Sequence, residues 1–316
     1  MASNQAGVIC SGNIVYDTLV CPVRELTWRA TTFVDCIEVH LGGNGSSTAR
    51  ALARLGVPVR LLGAVGNDDQ GEYMLEHLRA SGVDIGNVER VSTPSSATVA
   101  MVSPTGERKF FHLIGASREA LSHGIDFNLG LLEGAAHYHM ASMFVMPRFR
   151  PLAAATLERA RKAGLATSFD TNWDPEGTWM RDLAPCLPHI DYLFMNEPEA
   201  EMITGSSDPS RAAEIVLAKG LRTAVLKLGG AGCAVFSEGE EIRCPAYEVK
   251  VKDTTGAGDC FVAGFLAALL DGASLNEAGQ FANAVAALSV GEVGAVNGLQ
   301  PRTQTAEWMR TARLRA

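Results

Sequence analysis

The sequence has no hydrophobic run long enough to cross a membrane. Its longest apolar stretch is about ten residues, roughly half of what a membrane-spanning helix needs. The first residues, MASNQAGVICSGNIVYD, also lack the basic region and apolar segment of a secretory signal peptide. We therefore expect a cytoplasmic protein that has no membrane partner.

Positive charge is scarce as well. The chain has 27 Lys and Arg against 35 Asp and Glu, a net charge of -8, and the basic residues form no cluster. Nucleic-acid binding needs a positive surface patch, so we expect no nucleic-acid partner. Because 47% of the residues are hydrophobic and 20% are charged, the composition is that of a globular protein.

The sequence has few cysteines, and their spacing does not indicate pairs. There are seven, an odd number, and none lies in a CxxC or zinc-type spacing. We expect scattered reduced thiols, as is usual in a cytosolic protein.

Two nucleotide-binding motifs are also missing. The sequence contains no Walker A motif, and its first strand is not followed by the G-x-G-x-x-G of nicotinamide-dependent oxidoreductases.

The chain does contain alternating strand and helix patterns. After Asp126 this alternation is regular, which predicts βαβ units and a mostly parallel sheet. Two β-rich runs around SPTGE predict a hairpin from Ala97 to Ile114. Another strand is predicted from Thr31 to Leu41, and a helix capped by Ser46 or Ser47 follows it. We expect one domain, 1–316, with a small β-sheet lid formed by about 13–40 and 96–117.

The segment DTTGAGD, Asp253 to Asp259, precedes a long apolar helix pattern. The first amides of a helix have no partner within the helix, and Gly256 and Gly258 would leave them accessible. Such amides favour a large anion, for example a phosphate group that is being transferred. Asp259 is then suited to accept the proton of an attacking hydroxyl. The structural alternative is a buried helix with Asp259 as its N-cap and glycines for the turn.

With this segment the chain resembles the PfkB family of carbohydrate kinases, which have the ribokinase-like fold. Four further segments match the family's motifs in the same order: GNIVYD (12–17), LGGNGSSTARALARLG (41–56), NEPE (196–199) and LKLGGAGC (226–233). The resemblance covers nearly the whole chain. It implies a three-layer α/β sandwich with a mostly parallel central sheet and a small β-sheet lid, and it implies ATP and Mg²⁺ as cofactors.

The resemblance also implies a role for each matching residue. The catalytic set is Asp259 as general base and the amides of Gly256, Ala257 and Gly258 as anion hole. The sugar-binding set is Asp17, Gly42, Gly43, Asn44 and Ser47. The nucleotide-binding set is Asn196, Lys227, Gly229, Gly232 and Asn283. Asn196 and Glu199 would act on Mg²⁺ through its waters. Asp253, the carbonyl of Thr255 and carbonyls of VGEVGAVNG (290–298) would hold a monovalent cation such as K⁺. Two structural alternatives remain: Asp17 as a strand-end cap and Asn283 as a partner of a nearby loop.

The sugar-binding pattern departs from that of ribokinases. Asn44 stands in place of a lysine, Ser47 in place of an asparagine, and MASMFVM offers no acid for the sugar. The strand ending in DTNWD has no following arginine for an acidic sugar. Arg108, Lys109 and Arg118 in the lid region are the alternative partners, but their position favours solvated lid charges. We expect a kinase that phosphorylates a primary hydroxyl of a small neutral sugar.

Two alternatives stay open. Met143, Phe144 and Trp173 would suit the base of a nucleoside acceptor, or they pack in the core. A catalytically inactive sugar- or nucleotide-binding regulator is the alternative from another class. An exposed lid sheet would have unpaired edges and an apolar face, which favours a homodimer through the lid.

Overall fold

The computed structural model describes residues 6–26 and 28–315, which form 13 strands and ten helices. The strands are β1 (Gly7–Ser11), β2 (Val15–Cys21), β3 (Cys36–Gly42), β4 (Val59–Gly66), β5 (Val88–Val91), β6 (Ala97–Val102), β7 (Arg108–Leu113), β8 (Ala135–Ala141), β9 (Ala166–Asp170), β10 (Tyr192–Asn196), β11 (Thr223–Lys227), β12 (Cys233–Ser237) and β13 (Glu240–Cys244). The helices are α1 (Asn44–Arg54), α2 (Asp69–Ala80), α3 (Leu129–Leu132), α4 (Ala153–Lys162), α5 (Met180–Leu183), α6 (Glu197–Thr204), α7 (Pro209–Leu217), α8 (Ala257–Leu270), α9 (Leu275–Ser289) and α10 (Arg302–Met309). No helix in these ranges is long and apolar enough to span a bilayer.

Nine strands form the central sheet, in the order β13-β12-β11-β10-β9-β8-β1-β4-β5. All pairings from β11 to β5 are parallel, while β12 and β13 add antiparallel pairs at one edge. The predicted mostly parallel sheet is therefore confirmed. Its inner strands are buried on both faces, since α1, α2, α8 and α9 contribute to one apolar core and α4, α6 and α7 to the other. This is the three-layer arrangement that the resemblance implied.

Four strands form a second sheet, in the order β3-β2-β6-β7, which we call the lid. The β6–β7 hairpin matches the prediction from Ala97 to Ile114. The predicted strand from Thr31 to Leu41 is wrong at its start, because β3 begins at Cys36. Pairing with β2 ends at Cys21, and Pro22 has no N–H with which to extend it.

Cys21 and Cys36 are opposite each other in the lid and are joined by a disulfide, with their Cα atoms 5.4 Å apart. The expectation of only reduced thiols is therefore wrong for these two residues. Because the pairing depends on the register of β2 against β3, their separation in the sequence did not indicate it. The cysteines at 10, 186, 233, 244 and 260 are free and buried.

Helix α1 begins earlier than predicted. Its N-cap is Gly43, with φ of 95°, rather than Ser46 or Ser47. The side chain of Asn13, from the segment between β1 and β2, accepts a 2.8 Å hydrogen bond from the Asn44 amide. The first helical turn is thus capped by a distant part of the chain, and a local N-cap rule could not predict that.

Candidate active site

The segment from Asp253 to Asp259 forms a tight turn that leads into α8. Gly256 is the N-cap of α8, with φ of 72°, so the alternative with Asp259 as N-cap is wrong. A Cβ atom at Gly256 would lie 2.4 Å from the Cβ atom of Ala295, so only glycine fits there. Along α8, Gly264 lies against α9, where any Cβ would meet Val285 at 2.9 Å. The start of α8 is therefore held firmly by packing.

Two cavities meet at this turn. The first, of about 380 Å³, lies between the lid and the turn, and we call it the lid-side cavity. Its lining includes Asp17, Gly42, Gly43, Asn44, Ser47, Asp253, Thr255, Gly256 and Asp259. The second, of about 290 Å³, lies beside α9, and we call it the α9-side cavity. Its lining includes Lys227, Gly229, Gly232, Ala257, Gly258 and Asn283. The structure thus brings all the predicted site residues except Asn196 and Glu199 together in two groups on either side of one turn.

Asp259 lies between the two groups and is only 8% exposed. Its Oδ1 atom accepts a hydrogen bond from Asn44 Nδ2 at 3.0 Å. Burial, aided by the nearby Asp170 carboxylate, raises the pKa of Asp259 to about 8, although Lys227 and the Asn44 hydrogen bond oppose this. A carboxyl group with a pKa near neutrality is well matched to general-base chemistry.

Lys227 supplies positive charge at the same place. Its Nζ atom donates a hydrogen bond to Asp170 Oδ1 at 2.6 Å, which links the ends of β11 and β9. Burial raises the pKa of Asp170 to about 7 despite the lysine. Burial lowers the pKa of Lys227, but Asp170 and Glu199 outweigh it and keep the ammonium charged. A Cβ atom at Gly258 would lie 3.4 Å from Lys227 Nζ, so this charge lies against the start of α8.

Asp17 lies inside β2 rather than at its end, so the strand-end cap is wrong for this residue. Its register partners are His40 on β3 and Thr98 on β6, and all three line the lid-side cavity. Burial raises the pKa of Asp17 to about 6, with Thr98 and His40 opposing that shift. A Cβ atom at Gly42 would overlap the Asp17 carboxylate, so Gly42 makes room for the acid.

Asn196 and Glu199 have a structural role at the start of α6. They form a capping box: Asn196 Oδ1 accepts from the Glu199 amide at 2.9 Å, and Glu199 Oε2 accepts from the Asn196 amide at 3.0 Å. Glu199 also accepts a hydrogen bond from Thr171 Oγ1 at 2.6 Å and lines a third cavity beside Asn44. Asn196 is not among the residues that line the lid-side or α9-side cavity. Residues 6–26 and 28–315 contain no group of three His, Cys, Asp or Glu arranged to hold a metal.

Asn283 is buried at the wall of the α9-side cavity. Its Nδ2 atom donates to the carbonyls of Cys244 at 2.9 Å and Pro245 at 3.2 Å. The sequence analysis treated a nucleotide-side position and a hydrogen bond to a nearby loop as alternatives for Asn283. In the structure Asn283 has both. Gly229 and Gly232 have φ of 54° and 94°, and this backbone conformation bends the loop from β11 to β12 around the cavity.

The three apolar residues near the site have different surroundings. Met143 and Phe144 are fully buried in the core, as the core-packing alternative proposed. Trp173 is 58% exposed and lines the third cavity with Asp17 and Asn44. Its ring meets that of Trp179 edge to face, with centroids 5.1 Å apart.

Two site residues were missed by sequence considerations. Asn13 accepts hydrogen bonds from the Asn44 amide and from Ser142 Oγ, and so positions Asn44. Asp170 forms an ion pair with Lys227 and so holds the ammonium group in place. Both lay within quoted segments, GNIVYD and DTNWD, and each follows an apolar strand. A polar residue at the carboxyl end of a parallel strand is the signal that could have identified them.

Comparisons with known proteins agree with this geometry. Residues 7–302 match the model of the pfkB family of carbohydrate kinases. Mouse ribokinase is 30% identical over 308 residues, covering 92% of this chain and 90% of the relative. The 2-dehydro-3-deoxygluconokinase of Bacillus subtilis is 29% identical, covering 89% of this chain and 90% of the relative. A solved structure of Arabidopsis thaliana ribokinase complexed with ribose and ATP superposes with a TM-score of 0.85 at 26% identity, covering 96% of this chain and 99% of that one.

The match to the family extends over both cavities and over the turn between them, since it runs from β1 to the start of α10. The chain therefore belongs to the pfkB family of carbohydrate kinases, and it is a phosphotransferase with an alcohol group as acceptor.

Proposed function

We propose that this chain transfers the γ-phosphoryl group of ATP to a primary hydroxyl of a small neutral sugar, with Asp259 as general base. The observation that carries the proposal is that Asp259 lines the lid-side cavity while Ala257 and Gly258, just before it, line the α9-side cavity. The acceptor would bind in the lid-side cavity and ATP in the α9-side cavity. The Arabidopsis relative, complexed with ribose and ATP, supports this pair of ligands.

The proposed reaction is a direct transfer between the two cavities. Asp259 takes the proton of the sugar hydroxyl as its oxygen forms a bond to the γ-phosphorus, and the bond to the ADP oxygen breaks. Charge develops on the phosphoryl oxygens. The amides of Gly256, Ala257 and Gly258 and the positive end of α8 would stabilise that charge. Lys227 adds a fixed positive charge against the same helix start.

Magnesium would be bound with the nucleotide. The donor set fits an indirect role, since Glu199 and Asn196 are already joined in a capping box and could reach the ion only through water. Mg²⁺ keeps several of its waters and takes phosphate oxygens as further ligands. When bound it would neutralise charge on the β- and γ-phosphates.

The charges of the lid-side cavity support a neutral acceptor. Its acids are Asp17, Asp253 and Asp259. Its two cations are already paired, Arg108 with Asp253 at 2.9 Å and Lys252 with Glu292 at 2.8 Å. An acidic sugar would therefore meet carboxylates without a free cation among these lining residues. Asp17 would accept hydrogen bonds from sugar hydroxyls, with Asn44 and Ser47 as further polar contacts.

A nucleoside acceptor is the second candidate, and the exposed ring of Trp173 favours it. Trp173 and Phe110 line the third cavity together with Asp17 and Asn44. Aromatic faces at that position would suit a base attached to the ribose. The inactive regulator is a weaker alternative, because Asp259 and the glycines of the turn are all present.

We also propose that residues 1–316 act as one kinase domain and form a homodimer through the lid. Alternate residues of the lid strands face away from the cavity, and this outer face includes Ile37, Val39, Val99, Phe111 and Leu113. Phe111 and Leu113 are more than half exposed, at 55% and 53%. A second copy of the same sheet would cover such a face.

The test is ADP release from ATP and Mg²⁺ with ribose, fructose, 2-keto-3-deoxygluconate, adenosine, inosine and cytidine as acceptors. We expect turnover with a neutral free sugar. Turnover only with nucleosides would favour the second candidate, in which Trp173 contacts the base. No turnover across a wide acceptor panel, in protein that binds ATP, would contradict both and favour the regulator.

A further inference from the structure

Arg108, the first residue of β7, connects the lid to the DTTGAGD turn. Its guanidinium donates a hydrogen bond to Asp253 Oδ1 at 2.9 Å and another to Thr255 Oγ1 at 2.8 Å. The Asp253 side chain is 11% exposed and the Arg108 side chain 32%, so this ion pair is partly shielded from water. A lid residue thus contacts the turn that holds the anion-binding amides.

Most acceptor positions of the Asp253 carboxylate are occupied. Besides Arg108, its Oδ1 atom accepts from the Thr255 amide at 3.0 Å and from Thr255 Oγ1 at 2.8 Å. Its Oδ2 atom accepts from the Gly294 amide at 3.0 Å. Three of the four donors lie on Oδ1 and one lies on Oδ2, so of about four lone-pair positions only one, on Oδ2, stays open. Burial raises the pKa of Asp253, but the N–H donors and Arg108 outweigh burial and lower it to about 2.

The backbone carbonyls near Asp253 are also engaged. The Val290 carbonyl accepts from the amides of Lys252 and Asp253, and the Ala295 carbonyl accepts from Cys260. These are among the groups that the resemblance suggested as ligands of a monovalent cation. A K⁺ ion needs several oxygens with free lone pairs, and the engaged oxygens of this set fit that need poorly.

We propose that the guanidinium of Arg108 takes the place of a monovalent cation beside the anion-binding turn, so that catalysis does not require K⁺. The inference rests on the proposed kinase function. Arg108 is a positioning residue: it balances the charge of Asp253 and holds the turn in place when the lid is closed. Because β7 supplies the positive charge of Arg108, the anion site is complete only when the lid contacts the turn.

The first test compares turnover of the unmodified protein in K⁺ with turnover in tetramethylammonium at equal ionic strength. We expect equal rates. A strong stimulation by K⁺ would overturn the proposal.

The second test uses Arg108→Ala, with Lys109→Ala as the matched control from the adjacent, outward-facing position of β7. Loss of a charged, partly shielded hydrogen-bonding group should lower kcat/KM about 10–100-fold, while the control keeps normal activity. Added guanidinium ion or K⁺ should restore part of the Arg108→Ala activity. Normal activity of Arg108→Ala, or a loss that neither cation restores, would overturn the proposal. Arg108→Lys keeps the charge without the planar fork, so we expect intermediate activity.

A third measurement does not depend on turnover. Hydrogen exchange of the amides in 108–113 and 253–257 should become faster in Arg108→Ala and stay unchanged in Lys109→Ala. Unchanged exchange in both variants would overturn the contact between lid and turn. If instead exchange changes as expected but no acceptor is phosphorylated by the unmodified protein, the proposed function is the part that fails.

Discussion

At the scale of single residues, the protonation of Asp259 determines the pH dependence. Because burial raises its pKa to about 8, the carboxylate that can accept a proton is the minor form below that pH. We expect kcat/KM to rise with pH and to level off above about pH 8, with about a tenfold loss per unit on the acid side. A pH–rate profile with saturating ATP and low acceptor concentration measures this.

Asn44 provides the matched test of that assignment. Its hydrogen bond to Asp259 lowers the pKa of the acid, so Asn44→Ala should move the inflection to higher pH. A profile that is flat from pH 6 to pH 9, or an inflection that does not move, would contradict the account.

The sequence identified Asp259, Asp17 and Lys227 as site residues because each lies in a compact motif. It did not identify their partners. The interactions of Asn44 with Asp259 and of Lys227 with Asp170 join residues far apart in the chain. Such pairs depend on which strand ends are neighbours in the sheet, and a single sequence does not specify that.

At the scale of elements, the turn before α8 depends on glycine for two separate reasons. Gly256 has φ of 72°, and its Cβ atom would also collide with Ala295. Gly272, at the other end of α8, has φ of 82° but open space around it. A comparison of the two positions therefore separates the effect of backbone strain from the effect of the collision with Ala295.

We expect both Gly256→Ala and Gly272→Ala to lose about 1–2 kcal/mol of unfolding free energy from the left-handed backbone. Only Gly256→Ala should also lose most of its turnover, because the collision displaces the anion-binding amides. Denaturant unfolding and steady-state kinetics of both variants measure this. Equal activity of the two variants would contradict the role of the turn.

Elements with a strong local signal were predicted well. The β6–β7 hairpin, which has turn residues between two β-rich runs, is the example. The start of α1 was predicted wrongly because its cap comes from Asn13. The start of β3 was also wrong, since pairing with β2 decides where a strand begins.

At the scale of the whole molecule, the two faces of the lid differ in polarity. Its inner face carries Asp17 and Arg108, and its outer face is apolar. The strand pattern of the sequence predicted a lid, but not which of its side chains face away from the cavity. Similarly, regular strand–helix alternation predicted the parallel sheet, while the order of the strands came only from the structure.

The proposed homodimer predicts that a charge on the outer face separates the two copies. Phe111→Glu should make the protein monomeric at concentrations where the unmodified protein is dimeric. Leu129→Glu is the control, since Leu129 is 88% exposed and lies in α3, outside the lid. Sedimentation velocity measures both. A monomeric unmodified protein, or a dimer that persists in Phe111→Glu, would contradict the lid interface.

The most direct measurement of the central claim is single-turnover phosphoryl transfer by Asp259→Asn, with ADP binding measured on the same protein. The variant keeps the size of the side chain and its place between the cavities but cannot accept the proton. We expect transfer to slow by about 10²–10⁴-fold while ADP binding stays unchanged. Near-normal transfer by Asp259→Asn would show that another group takes the proton and would contradict the account.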